Sequence, residues 1–329
     1  MKKFDKNQKI PTFIEGDSFA VLKTFKNESI DCVVTSPPYF REREKNKHFN
    51  LNQTLESYIE NILLICKEIK RVLKNDGSFW LNLGDCYAKT SLQLIPTKIA
   101  ARLVEDQGWI LNNDIIWKKT SFTPTSYKKR LSNSYEHLFH FVKTNDFYYN
   151  LVALDAKKRT PKVDNGVVKT SSNVTGANYY KIISSSLVLS EVQKKNALIA
   201  LEECIEEIKT NEINDFRMLI KGHNSVNSGN RKQELDKNGF VVIKSKYNKP
   251  SDVWEILPEK KSIHYAPFPE DLVKFPIIVT CRPKGIVLDP FSGSGTTCFV
   301  AMENNRDSIG IDINKDFIEY AKKRTNQRK

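Results

Sequence analysis

The position of one glycine loop constrains this chain more than any other feature. Leu288-Asp289-Pro290-Phe291-Ser292-Gly293-Ser294-Gly295-Thr296-Thr297 reads as the end of a buried strand, a glycine turn and the start of a helix. The glycines allow close approach of the backbone to a ligand, and the free N–H groups of the helix start favour a carboxylate or phosphate. In an open α/β sheet such a loop normally follows the first strand. Here only one strand, Ser308 to Asp312, and one helix, Lys315 to Lys323, come after it. The strands between residues 12 and 142 must then supply the rest of the sheet, and the expected order is permuted.

Those strands are legible. Residues 12–14 read as a strand, Ser18 to Phe25 as a helix and Ile30 to Thr35 as a buried strand stopped by Pro37-Pro38. From Thr54, an expected N-cap, apolar residues recur at helical spacing through Leu73. A turn at Asn75-Asp76-Gly77 precedes a strand from Ser78 to Leu83, a helix follows from Pro96 to Gln107, and Trp109 to Trp117 and Tyr135 to Val142 form a final strand pair. This rhythm predicts a mostly parallel sheet covered on both faces. After about residue 150 the chain turns rich in Lys, Ser, Thr and Asn, with one clear helix from Ser190 to Lys209, and the strand-and-helix rhythm resumes at Ser251. The expected division is 1–150, an insertion at 151–250, and 251–329.

Two sites carry chemistry. An acidic residue at the end of the strand after a glycine loop, here Asp312, can accept from both ribose hydroxyls of an adenosine. A dinucleotide oxidoreductase shares that need, but its fingerprint calls for a small residue where Cys298 stands. The second site, Ser36-Pro37-Pro38-Tyr39, follows a buried strand. Proline at 38 fixes the backbone, so the Pro37 carbonyl and the Ser36 hydroxyl form two neighbouring acceptors suited to an NH2 group, with Tyr39 placed to stack on a flat ring.

With Thr35-Ser36-Pro37-Pro38-Tyr39 before the glycine loop, the chain resembles the DNA amino-methyltransferases, which move a methyl group from S-adenosylmethionine to an exocyclic base nitrogen. Further landmarks of that family stand in order: Glu15-Gly16-Asp17, Gly77 to Asp85, Ile116 to Lys119, Tyr135-Glu136-His137, Pro250 to Trp254, His264 to Pro269 and Gly310-Ile311-Asp312. Only about 155–240 lies outside the match. The catalytic motif before the cofactor motif, with an insertion between, is similar to the beta group. The resemblance implies an S-adenosylmethionine-dependent methyltransferase fold, Rossmann-like and circularly permuted, with an inserted target-recognition domain. It assigns Ser36, Pro37, Pro38 and Tyr39 to catalysis. To the cofactor it assigns Asp17, Thr35, His264, Phe268, Pro269, Asp289, Phe291, Gly293, Ser294, Gly295, Thr296, Thr297 and Asp312. Adenine-modifying relatives usually carry Asp where Ser36 stands, so the expected target is cytosine N4. The alternatives are adenine N6 on the same fold, or an RNA or protein methyltransferase or cofactor-binding module on the same scaffold.

The composition agrees with a polyanionic partner. There are 52 Lys and Arg against 39 Asp and Glu, a formal charge of +13 and a pI near 9.3. Candidate phosphate contacts are Lys128, Lys129, Arg130, Lys221, His223, Asn224 and Arg231. Double-stranded DNA is the expected partner, with a separate cognate restriction endonuclease and a homodimer as further candidates. The six cysteines form no CxxC pair and the five histidines lack metal-ligand spacing to them, so no metal is expected and a reducing compartment fits. The N-terminal ten residues lack the apolar run of a signal peptide, and no apolar stretch reaches the ~18 residues of a membrane helix. The expected location is the cytoplasm of a prokaryote, or of a phage host, at the nucleoid.

Overall fold

The computed structural model describes residues 10–40, 54–88, 90–121, 129–151, 162–164, 167–169, 176–210, 212–213, 215–226, 229–245, 250–258 and 268–326. The chain divides into two compact units, one of residues Met1–Leu154 with Ser251–Lys329, the other of Asp155–Pro250.

The first unit is built on an eight-stranded sheet. Its strands are β1 (Thr12–Glu15), β2 (Ile30–Thr35), β3 (Leu73–Leu83), β6 (Ile110–Lys119), β7 (Tyr135–Val142), β12 (Val253–Ile256), β13 (Ile286–Asp289) and β14 (Asp307–Asp312). One short antiparallel pair of this unit is separate from it, β4 (Tyr87–Ala88) with β5 (Ser91–Leu92), while β8 (Lys162–Asp164) and β9 (Val167–Lys169) form an antiparallel pair of the second unit. The order across the large sheet is β1-β14-β13-β2-β3-β7-β6-β12. β7 pairs antiparallel with both neighbours and every other pairing is parallel. The two strands flanking the glycine loop therefore lie between β1 and β2, as the permuted order requires. The expected turn at 75–77 is not a break: β3 runs continuously from Leu73, and its register against β2 shifts between Ile30 and Cys32.

Helices cover both faces because the strands are apolar on both. Along β3, Phe79, Leu81 and Leu83 point into one core with Tyr58, Ile62 and Ile69 of α2 (Leu55–Val72) and Ile99 and Leu103 of α3 (Ile95–Glu105). Trp80 points into the other core, with Leu272, Val273 and Ile277 of α7 (Glu270–Thr280) and Phe299 of α8 (Thr296–Glu303). α2 starts where Thr54 accepts from the Ser57 N–H at 3.1 Å. Arg71 at its far end donates to the carbonyls of Leu22 and Phe25, which fixes α2 to the loop after α1 (Ser18–Leu22).

The second unit has its own core. α4 (Ala177–Ser185), α5 (Glu191–Lys209) and the hairpin β10 (Asp215–Ile220) with β11 (Phe240–Ser245) bury Ile183, Leu201, Cys204, Phe216 and Met218 together. α5 opens with a reciprocal capping box of Ser190 and Gln193. α6 (Asn230–Asn238), which periodicity does not reveal, buries only Leu235 and ends at Gly239 with φ 79°.

His140 on β7 lies against Trp80, with ring centroids 4.0 Å apart and planes at 2°. Its ring nitrogens meet Ser78 Oγ and Asn112 Nδ2, both at 3.0 Å, and burial pushes its pKa from 6.5 down to about 3. Between those two values the unfolded chain binds a proton that the native ring refuses, so stability falls as the pH is lowered through that window. We expect this group alone to lower unfolding free energy by on the order of 1 kcal/mol per pH unit on acidification, and His140→Gln to flatten that slope. Denaturant titrations of both proteins from pH 7 to 4 measure it, and parallel slopes would contradict the assignment.

Candidate active site

The ends of β2 and β13 lie side by side, with Cys32 opposite Val287 and Val33 opposite Leu288. Both motifs therefore emerge from the same edge of the sheet, where open α/β sheets bind ligands. Asp289 joins them. Its Oδ1 accepts from Thr35 Oγ1 at 2.6 Å and from the Phe291 N–H at 3.0 Å, and its Oδ2 accepts from Thr297 Oγ1 at 2.7 Å. The carboxyl group is completely buried, and that burial pushes its pKa up to about 6 against the pull of the three hydrogen bonds. Thr35, Asp289 and Thr297 are thus placed beneath the site, where they shape it from within.

The glycine loop takes its form from three further contacts. Asp312 accepts from the Gly293 N–H at 2.9 Å and from the Asn314 N–H at 2.8 Å, so it braces the loop. Ser18 Oγ donates to the Pro290 carbonyl at 2.5 Å. Gly295, at φ 76°, sits against Phe13 and Ala321 so closely that a Cβ would lie 2.8 Å from the Ala321 methyl. α8 begins there with no side-chain cap, which leaves its first N–H groups available to an anionic group. Ser294 and Thr296 are buried and Phe291 is half-buried. Ser292 Oγ is buried without a hydrogen-bond partner among the described residues. An uncapped helix start beside an orphaned hydroxyl suits a ligand with carboxylate and amino groups.

Other expected cofactor residues are placed as follows. Asp17 caps α1 by accepting from the Ala20 N–H at 2.9 Å, and Gly16 next to it donates to the Asp312 carbonyl. Phe268 packs against the core that contains Trp80, and Pro269 is the N-cap of α7. His264 lies outside the described residues. Cations favour the last turn of a helix, but Arg324 of α9 (Lys315–Asn326) does more. It pairs with Glu270 at 2.7 Å, donates to Thr296 Oγ1 at 3.0 Å and covers the Phe299 ring.

The tetrad at the end of β2 is held at both ends. Tyr58 of α2 donates from its hydroxyl to the Pro38 carbonyl at 3.1 Å, a role that its place in an apolar stripe concealed. Tyr39 donates to Glu136 Oε2 at 2.5 Å and lies 3.2 Å from Asn82 Oδ1. At the other end Thr35 is bound to Asp289, and between Thr35 and Pro38 the residue Pro37 is buried and Ser36 half-buried. Among the described residues no donor reaches Ser36 Oγ or the Pro37 carbonyl. These acceptors of two adjacent residues thus lie on a stretch of backbone tied on one side through Thr35 and on the other through Pro38.

Of the expected phosphate contacts, Lys129 is exposed, Arg130 stacks 3.9 Å over the Tyr87 ring, and Lys128 lies outside the described residues. In the second unit His223 and Arg231 are exposed, Lys221 donates to the Asp236 carbonyl, and Asn224 accepts from the Ile220 N–H. No helix among the described residues is long and apolar enough to cross a membrane.

Comparison with known proteins gives the family. The type II methyltransferase M.Cfr9I of Citrobacter freundii is 24% identical over 342 residues, spanning 94% of this chain and 86% of the relative. Among solved structures, the PvuII DNA methyltransferase, described as cytosine-N4-specific, superposes with a TM-score of 0.58 at 21% identity, over 95% of this chain and 86% of the other. A DNA modification methylase of Thermus thermophilus complexed with S-adenosyl-L-methionine superposes with a TM-score of 0.55 at 18% identity, over 97% and 95%. These likenesses establish the α/β methyltransferase fold. The DNA methylase family model matches residues 30–323, from the start of β2 to near the end of α9, and so takes in both motifs and the seam between them. By that match the chain belongs to the N6/N4 DNA methylase family.

Proposed function

We propose that this protein methylates the exocyclic N4 of a cytosine flipped out of duplex DNA, as a modification enzyme of the type II kind to which its relatives belong. S-adenosylmethionine is the cofactor of the family and supplies an electrophilic methyl group on a sulfonium. The orphaned Ser292 hydroxyl and the uncapped start of α8 fit its methionine end, with Phe291, Gly293, Ser294, Gly295 and Thr296 around it, and Asp312 and Asp17 on the adenosine side.

The observation that carries the proposal is the acceptor pair of Ser36 Oγ and the Pro37 carbonyl, held next to the cofactor loop by the Thr35–Asp289 bond. A base amino nitrogen is conjugated with its ring and is a poor nucleophile. Acceptors that take its two hydrogens draw them out of the ring plane and leave the lone pair facing the methyl donor. This assistance grows as positive charge develops on nitrogen, so it favours the transition state over the ground state. Because the acceptors are fixed before substrate arrives, no reorganisation is needed at the moment of reaction. No cysteine follows a proline in the chain, so a thiolate attack on carbon 5 lacks its usual nucleophile. The target must leave the duplex to reach the pair, and Tyr39 replaces part of its lost stacking. Serine at 36, where adenine-modifying relatives usually carry Asp, favours cytosine. The unit of residues 155–250, with 17 Lys and Arg against 11 Asp and Glu, is the proposed target-recognition domain.

Expression in a methylation-free host followed by mass spectrometry of the nucleosides tests the base. N4-methylcytosine is expected; N6-methyladenine would keep the chemistry and overturn the base, and neither, with cofactor binding intact, would overturn DNA as substrate. Ser36→Ala is expected to lower single-turnover methylation by about 10²-fold, the scale of one lost preorganised hydrogen bond. DNA affinity should stay unchanged. A large affinity loss at an unchanged single-turnover rate would contradict the role of Ser36.

A further inference from the structure

The half-exposed ring of Tyr39 is fixed at its hydroxyl by groups that the sequence places far away. Glu136, 97 positions along the chain at the start of β7, is buried and accepts a hydrogen bond from the Tyr39 hydroxyl at 2.5 Å through Oε2. Its other oxygen, Oε1, pairs with Lys119 at the end of β6. Asn82 of β3 stands 3.2 Å from the same hydroxyl, and its amide orientation is set because Nδ2 donates to the His137 carbonyl at 3.0 Å. The ring itself lies directly on the backbone at Gly84, where a Cβ would fall 2.8 Å from Tyr39 Cε2. Two strands, β3 and β7, thus meet at one phenol, and β6 acts on it through the Lys119–Glu136 pair.

This is more than packing requires. A tyrosine used only to fill space needs a single partner for its hydroxyl, and a surface tyrosine can use water. Here a carboxylate with its own cation is kept inside the protein, an arrangement whose desolvation is costly unless the geometry is good. The hydrogen bond it receives is charge-assisted, the stronger and more directional kind. The effect is to hold the ring plane and the tilt of Tyr39 while leaving the ring half-buried beside Ser36 and Pro37.

We infer that Glu136, charged and oriented by Lys119, is a positioning residue that presets the plane of Tyr39 for stacking on the substrate base. The inference rests on the reading of the tetrad as the base site. Glu136 touches neither substrate nor cofactor; it acts through Tyr39, so its contribution disappears when the tyrosine hydroxyl is removed.

A double-mutant cycle tests it, with the full-length protein, tritiated S-adenosylmethionine and genomic DNA from a methylation-free host under single-turnover conditions. Tyr39→Phe and Glu136→Ala are each expected to slow methylation about tenfold, as for loss of one hydrogen bond to a charged group. Glu136→Gln, which keeps an acceptor but loses the charge, should fall between the wild type and Glu136→Ala, and Tyr39→Phe with Glu136→Ala should be no slower than the worse single variant. The affinity for S-adenosylmethionine should not move in any of them. If Glu136→Ala slows the Tyr39→Phe protein as much as it slows the wild type, Glu136 acts elsewhere and the inference fails. Should Glu136→Ala not fold, Tyr39→Phe alone decides: a full rate means that anchoring the hydroxyl is immaterial. Tyr39→Ala separates the two levels. If it too is fast, Tyr39 does not serve the base and the reading of the tetrad falls; if it is slow while Tyr39→Phe is fast, only the positioning role is lost.

Discussion

A fully buried carboxylate holds this protein's two functional segments together. Asp289 ends one strand, Thr35 ends the neighbouring strand from the other side of the insertion, and Thr297 begins the helix after the glycine loop; all three meet through Asp289. Burial raises the energy of the charged form, and the three donors that point at it lower that energy again. The permutation makes this bond necessary. Where cofactor loop and substrate loop come from distant parts of a chain, backbone continuity cannot fix their spacing, and a cross-strand contact must do so. The parallel pairing of β2 with β13 sets the level of the two loops, and Asp289 sets their geometry beyond the last paired residues.

Around that seam the site is divided into parts that are tied and parts that are left open. Thr35, the Pro38 carbonyl and the Tyr39 hydroxyl are each engaged by a different element, namely β13, α2 and the pair of β3 and β7. Ser36 Oγ and the Pro37 carbonyl lie between them with no donor among the described residues. The glycine loop is treated alike: it is braced by Asp312, Ser18 and Arg324, while among the described residues the Ser292 hydroxyl has no partner and the start of α8 has no side-chain cap. Rigid surroundings and unsatisfied functional groups together make a preorganised site.

Much of this was legible from residue order. The buried runs of β2, β3 and β13, the Thr54 cap, the stripe of α2 and the apolar spacing of α5 are local patterns, and each produces the element it signals. The shortage of strands after the glycine loop gave the permuted sheet. What stayed hidden is long-range pairing of side chains. Tyr58 and Glu136 look like members of a helix stripe and an alternating strand, and nothing local says that their polar ends reach the tetrad. The bonds from the Gly293 and Asn314 N–H groups to Asp312 are equally invisible in residue order. α6 escaped notice because only one of its residues is buried.

The claim that Asp289 is the seam is tested most directly by comparing two substitutions at that position. In Asp289→Asn, Oδ1 can keep Thr35 and the Phe291 N–H, while the new amide donates to the Thr297 hydroxyl, which turns its own proton to the Val34 carbonyl 3.3 Å away. Asp289→Ala leaves all three donors facing a void, at a cost of about 2–4 kcal/mol. The measurement is calorimetric titration of S-adenosylhomocysteine into each variant, with denaturant unfolding alongside. The Asn variant is expected to bind within about threefold of wild type, less than 1 kcal/mol, whereas the Ala variant loses about 10²-fold in affinity and most of that stability. Equal binding and stability in all three proteins would show that the two loops are set by something other than this carboxylate.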